Sequence, residues 1–134
     1  MKKQQKGGIK NNPNPLIQGL EAYTEEEILS DIRSVVEQEL EDACLQDIRI
    51  KGMAVYGSRK RGDASADSDL DVLLEYEGHY SEDGLFNLLN EEPLEYEGIR
   101  VDINPITRFK SGTLEQYMLF QKELNLLSIS KYVK

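Results

Sequence analysis

Cysteine is nearly absent from this 134-residue chain: Cys44 stands alone, which excludes an internal disulfide and any metal site built from several cysteines. The default setting for such a chain is reducing and cytoplasmic. Long apolar runs are missing too. The longest are only a few residues, against the roughly 20 that a bilayer crossing requires, so no membrane span is expected. Lys2, Lys3, Lys6 and Lys10 lead into no apolar segment, and no secretory signal is expected. Histidine is as scarce as cysteine, and His79, following Gly78 at a strand end, reads as a loop residue rather than a ligand or base. Basic charge is in short supply: 16 Lys and Arg stand against 25 Asp and Glu, for a net charge of −9. Residues 1–20 hold four Lys and no acid, so 21–134 hold the other 12 basic and all 25 acidic side chains and carry −13. A body this acidic repels phosphate backbones, which argues against general nucleic-acid binding.

What is present suits a folded domain. Hydrophobic residues make up 39% of the chain, too many for wholesale disorder, and the length fits one compact core. Gly7, Gly8, Asn11, Asn12, Pro13, Asn14 and Pro15 mark residues 1–20 as a flexible basic extension, leaving 21–134 as the single domain. Thr24 and Glu27 form a capping box that opens a helix over about 24–44. Its stripe of Ile28, Ile32, Val35, Val36, Leu40 and Ala43 faces a core, and Cys44 is expected as a small buried hydrophobe. Residues 48–56 and 70–74 read as strands, 83–91 as a short helix, and 99–103 as a third strand that ends before Pro105. Thr113 with Gln116 is a second capping signal and begins a helix to about 124. Helices interleaved with strands indicate an α/β or α+β domain whose small sheet is covered by helices.

Chemistry concentrates in residues 55–74. Gly57 and Ser58 sit where a strand ends and a short helix can begin; glycine admits a ligand close to the backbone, and the following N–H groups with the Ser58 hydroxyl can hold a phosphate. Arg59, Lys60 and Arg61 supply positive charge beside them. Asp69 and Asp71, two apart on a strand, share one face, while Leu70, Val72 and Leu74 take the other. Carboxylates held this close repel unless a cation joins them, and oxygen donors of this kind suit Mg²⁺. Asp102 interrupts the apolar strand Ile99–Ile103, a costly placement unless it is paired or bound to a metal. If its strand lies beside the second, three carboxylates converge. A calcium loop starting at Asp67 fails, because Val72 and Gly78 occupy the positions that need Gly and Glu. A P-loop also fails, because Asp63 and Ala64 replace its Lys and Ser or Thr. The plain alternative is a polar loop between two strands.

Gly57-Ser58, ten intervening residues, and Asp69-Leu70-Asp71 resemble the signature of the nucleotidyltransferase superfamily that includes DNA polymerase β. The whole string Gly57–Asp71 is similar to that of the minimal nucleotidyltransferases, small antitoxin-like proteins often encoded beside a helical HEPN partner. The resemblance covers roughly residues 24–108. It implies a nucleotidyltransferase fold, a small mixed β-sheet flanked by helices, and transfer of NMP, as AMP from ATP, to an acceptor hydroxyl. It assigns Asp69, Asp71 and Asp102 as catalytic metal ligands for two Mg²⁺ ions. Gly57 and Ser58 become triphosphate contacts, with Arg59 and Arg61 as further nucleotide-binding anchors. The acceptor implied is a hydroxyl on a HEPN-type partner protein. The alternatives are a small molecule such as an aminoglycoside held in a homodimer cleft, or a non-catalytic module that binds NTP or a partner. Leu119, Phe120, Leu126, Leu127 and Ile129 are the apolar candidates for a partner surface, unless they cover the protein's own sheet.

Overall fold

The computed structural model describes residues 16–120. Helix α1 spans Glu25–Asp42, and both halves of its capping box form, with the Glu27 N–H donating to Thr24 Oγ1 at 3.0 Å and the Thr24 N–H to Glu27 Oε1 at 2.9 Å. The strand β1 (Arg49–Tyr56), the single turn α2 (Ser58–Arg61) and β2 (Leu70–Glu77) follow, then α3 (Glu82–Asn90), β3 (Leu94–Tyr96) and β4 (Ile99–Ile106). Residues 114–120 are helical and are called α4; any continuation toward 124 lies outside the described residues, as do Leu126, Leu127 and Ile129. None of the described helices is long and apolar enough to cross a membrane.

The sheet has the order β1-β2-β4-β3, with β1 antiparallel to β2, β2 parallel to β4, and β3 antiparallel to β4. It is therefore the small mixed sheet expected of an α+β domain. On one face, Val55, Leu70, Val72, Leu74, Tyr76, Val101 and Ile103 pack into a single cluster with Ile28, Ile32, Val36 and Leu40 of α1 and Leu85 and Leu89 of α3. The alternation of side chains puts Leu73 and Ile106 on the opposite face, where they too are buried. There α4 begins: the Leu114 N–H donates to Glu75 Oε1 at 2.9 Å, and Tyr117 meets Tyr56 edge-on with ring centroids 5.8 Å apart. The capping pair Thr113–Gln116 forms as expected, each backbone N–H donating to the other's side chain.

Three expectations from sequence need correction, and one strand carried no sequence signal. Residues 16–20 are not part of an extension: Ile17 is 0% and Leu20 2% exposed, both inside the core cluster, so the domain starts before residue 21. Residues 1–15 lie outside the described residues. Strand β4 does not stop before Pro105 but runs through it, with Pro105 opposite Leu74. Asn90 binds both the N–H and the carbonyl of Ile103 on the side away from β2, and Pro105, two residues on, turns its missing donor to that same side, beyond the end of the short β3. Strand β3 itself has no periodic signal at three residues; it exists because Glu97 (φ 49°) and Gly98 (φ 83°) make a two-residue hairpin turn with both φ positive. Cys44 is exposed, not buried. It has φ 60° and follows a helix end in which the Leu45 N–H reaches the Leu40 carbonyl and the Cys44 N–H the Glu41 carbonyl, a Schellman closure that turns the side chain outward.

Candidate active site

Strand β1 ends at Tyr56, and the chain turns sharply at Gly57, with φ 83° and ψ −161°. Only glycine adopts this conformation readily, and a second constraint demands it as well: a Cβ here would collide with the Asp71 carboxylate, lying 3.2 Å from Asp71 Cγ. The backbone of the turn and the carboxylate of β2 are thus in direct apposition. Ser58 then opens α2, whose single turn is closed by the Lys60 and Arg61 N–H groups on the Gly57 carbonyl and ended by Gly62 at φ 91°. As at any helix start, the first N–H groups find no partner within the turn.

Asp69 immediately precedes β2, and Asp71 is the second residue of the strand. Across the parallel ladder Asp71 is the partner of Asp102, and across the antiparallel ladder it is the partner of Tyr56. Ladder partners share a face, so Asp71, Asp102 and Tyr56 stand side by side at the end of the sheet where Gly57 turns. All three aspartates are half-buried. The electrostatics record how close they lie: burial raises the pKa of Asp71 above the usual carboxylate value, the charges of Asp102 and Asp69 raise it further, and Arg61 opposes them. Tyr56 is pushed up to about 12, first by burial, and Tyr117, Asp71 and Asp102 add to the rise. The Asn104 amide donates to the Tyr56 hydroxyl at 3.2 Å and works in the other direction.

The three basic residues after Ser58 divide sharply. Arg59 is 4% exposed and turned into the protein. Its Nε donates to the Ser68 carbonyl at 2.9 Å, Nη1 to the Gln18 carbonyl at 2.9 Å, and Nη2 to the Ala66 and Ser65 carbonyls at 3.3 and 3.5 Å. Here the structure departs from the role of phosphate anchor, because the guanidinium is used in holding the loop together. Lys60 pairs with Glu25 of α1, whose other oxygen accepts the Val55 N–H at 3.0 Å. Arg61 alone remains on the open side, bound to Asp63 at 3.3 Å and near enough to lower the Asp71 pKa. Gly57, Ser58, Arg61, Asp69, Asp71 and Asp102 are therefore brought to one end of the sheet, and Arg59 lies behind them.

Asn104 escaped notice in the sequence, although it stands two residues beyond Asp102 and the period of a strand places it on the same face. His79 is a loop residue, its ring and N–H both on Asp47.

Carboxylates gathered on a half-buried face, with the pKa of Asp71 raised by burial and then by the charges of Asp102 and Asp69, are hard oxygen donors with charge to be neutralised, which fits a divalent cation such as Mg²⁺. Among the described residues no group of three or more His, Cys, Asp or Glu is drawn together tightly enough to hold a metal by itself. That is compatible with Mg²⁺, which is commonly held by one or two carboxylates and completes its shell with water and substrate phosphates.

Residues 37–126, more than half of the chain, match the family model described as nucleotidyltransferase domain. Comparison with curated proteins found no match, and neither did comparison with solved structures.

Proposed function

The chain belongs to the nucleotidyltransferase domain family, and from that premise we propose that it moves AMP from ATP to a hydroxyl on a partner protein and releases pyrophosphate. The observation that carries this reading is the apposition of the Gly57 turn and the Asp71 carboxylate, with Asp102 as the ladder partner of Asp71. A triphosphate lying along Gly57 and Ser58 has its α-phosphorus delivered to the carboxylate face.

Gly57 lets the phosphates approach the backbone, and the Ser58 hydroxyl and N–H hold their oxygens. Arg61 supplies positive charge on the open side. Asp69, Asp71 and Asp102 would hold Mg²⁺, two ions in the usual arrangement, which when bound neutralises phosphate charge and stabilises both the entering and the departing oxygen. Asp102 takes the proton of the acceptor hydroxyl as that oxygen attacks the α-phosphorus and the bond to pyrophosphate breaks. Every step depends on positioning and charge, and none requires a covalent bond to the chain.

The acceptor side is the part of this face that α4 borders. Leu119 and Phe120, 57% and 56% exposed, lie two and three residues beyond Tyr117. Apolar side chains presented beside a transferase face suit a protein acceptor, and a helical partner of the HEPN type is the proposed one.

Intact mass measurement after incubation with ATP and Mg²⁺ tests the reading, using the chain alone and co-expressed with a candidate partner. The expected result is one or more AMP additions on the partner, lost with Asp71→Asn. Absence of any nucleotide binding by calorimetry, with ATP, GTP, CTP or UTP, would sink the assignment. A modified small hydroxyl compound and an unmodified partner would keep the transferase and discard the protein acceptor.

A further inference from the structure

Gln18 lies outside the segment that matches the family, 41 residues before Arg59 and 46 before Ala64, yet it uses all four of its hydrogen-bonding groups on the loop beside the site. Its backbone N–H donates to the Arg59 carbonyl at 3.0 Å, and its backbone carbonyl accepts from Arg59 Nη1 at 2.9 Å. Its side-chain amide reads the backbone of Ala64 from both sides: Nε2 donates to the Ala64 carbonyl at 3.0 Å, and Oε1 accepts the Ala64 N–H at 2.9 Å. The clamp has a firm base. Ile17 and Leu20 on either side are buried in the core, and Gly19 (φ 88°) leaves room for the Arg59 guanidinium, since a Cβ there would stand 2.5 Å from Nη1.

Apart from Arg59 and Gln18, the loop is held by short-range bonds within itself, such as the Ser68 N–H to the Ser65 carbonyl at 3.2 Å and the Ser65 N–H to Ser68 Oγ at 3.0 Å. Residues 61–63 and 65–67 are exposed, and no apolar side chain of the loop enters the core cluster. The loop also joins the two halves of the site, running from Ser58 to Asp69. Arg59 fastens its far end through the Ser68 carbonyl, next to Asp69, and Gln18 fastens its middle at Ala64 and holds Arg59 in place.

We propose that Gln18 is a positioning residue for nucleotide binding: it keeps the loop 57–69 in the conformation that sets Ser58 and Arg61 opposite the aspartates before the triphosphate arrives. The inference rests on the nucleotidyl-transfer reading above and adds a residue to it. Its consequence is particular. A loop that is already ordered contributes equally to binding the ground state and the transition state, so loosening it weakens binding without slowing the bound complex.

Gln18→Met keeps the length of the side chain while removing both bonds to Ala64. In steady-state transfer with ATP and Mg²⁺, KM for ATP is expected to rise about tenfold with kcat within about twofold. Amide hydrogen exchange without nucleotide is expected to quicken across 62–68, with α1 and the sheet unchanged. Arg59→Lys, which keeps the charge but cannot reach the Ser68, Ala66 and Gln18 carbonyls together, should shift KM in the same direction. An unchanged KM with faster exchange would make Gln18 a structural clamp only and overturn the proposal, as would a fall in kcat with KM unchanged. Failure of the unaltered protein to bind nucleotide would instead remove the underlying reading, a result distinguishable because it needs no variant.

Discussion

Asp71 of β2 and Asp102 of β4 are direct partners in a parallel ladder, so two carboxylates occupy neighbouring positions on one face of the sheet with no strand between them. Neighbouring like charges destabilise a fold that has no cation to share, and Asp71 shows it by a pKa above the usual carboxylate value, set by burial and then by Asp102 and Asp69. The fold favours the protonated form of Asp71, so this residue's contribution is fully present below the ordinary carboxylate pKa and is lost as pH rises through the elevated one. Asp71→Asn is therefore expected to melt no lower than the parent in metal-free buffer at neutral pH, and higher if repulsion dominates. At pH values below the ordinary carboxylate pKa the advantage should vanish. Transfer activity should fall by about a hundredfold or more. Differential scanning calorimetry at two pH values, with a turnover assay, reads all three; a large loss of stability at neutral pH would show that Asp71 is a structural residue.

Gly57→Ala tests the apposition at the heart of the site. The substitution places a side chain at a backbone geometry reserved for glycine and drives it into the Asp71 carboxylate. A loss of about 1–3 kcal/mol in urea unfolding is expected, together with loss of nucleotide binding. Gly62→Ala serves as the comparison: Gly62 also has positive φ, but a Cβ there meets nothing within 4 Å, so it should keep binding.

Glu82 carries a different pH signature. It is buried, yet its carboxylate accepts the Thr107 N–H at 2.7 Å, the Thr107 hydroxyl at 2.9 Å, the Ser111 N–H at 3.1 Å and the Ser111 hydroxyl at 2.6 Å. Burial alone would raise its pKa, and these four donors outweigh it and bring the pKa below the usual value. Its stabilisation is present above the ordinary carboxylate pKa and is lost as pH falls through the lowered one. Glu82→Gln replaces one acceptor oxygen with a donor facing donors, and about 1–3 kcal/mol should be lost at neutral pH. In the variant, stability should fall less steeply on acidification. Urea denaturation across pH 3–7 checks both.

Cys44 offers a gain rather than a loss. It holds φ 60° at the position after a helix end where glycine is preferred, and its thiol is exposed. Cys44→Gly should raise stability by on the order of 1 kcal/mol, read as a shift of the urea midpoint with an unchanged slope. No change in transfer activity is expected, because the residue lies at the far end of α1 from the site.

Local patterns were enough to place much of this molecule. Thr24 with Glu27, and Thr113 with Gln116, mark helix starts because each pair closes its hydrogen bonds within four residues. Asp69, Asp71 and the apolar residues between and after them reveal which face is wet, because the pleat repeats every two residues. Gly57 announces a turn, because the steric preference belongs to the residue itself. What the chain alone left undecided all depends on partners distant in sequence. That Asp102 is the neighbour of Asp71 follows from β4 entering parallel to β2, a pairing decided by which apolar faces can be buried together. That Pro105 continues a strand follows from its open flank, where β3 is too short to need its missing donor. Arg59 reads in sequence like Arg61, two equal cations beside a phosphate loop, and only packing turned one inward onto four carbonyls and left the other in solvent. Gln18 carried no signal at all, because an amide's function is set by whatever backbone the fold brings against it. Short-range stereochemistry thus determined the elements and the chemical types at the site, whereas long-range burial determined which of those groups meet.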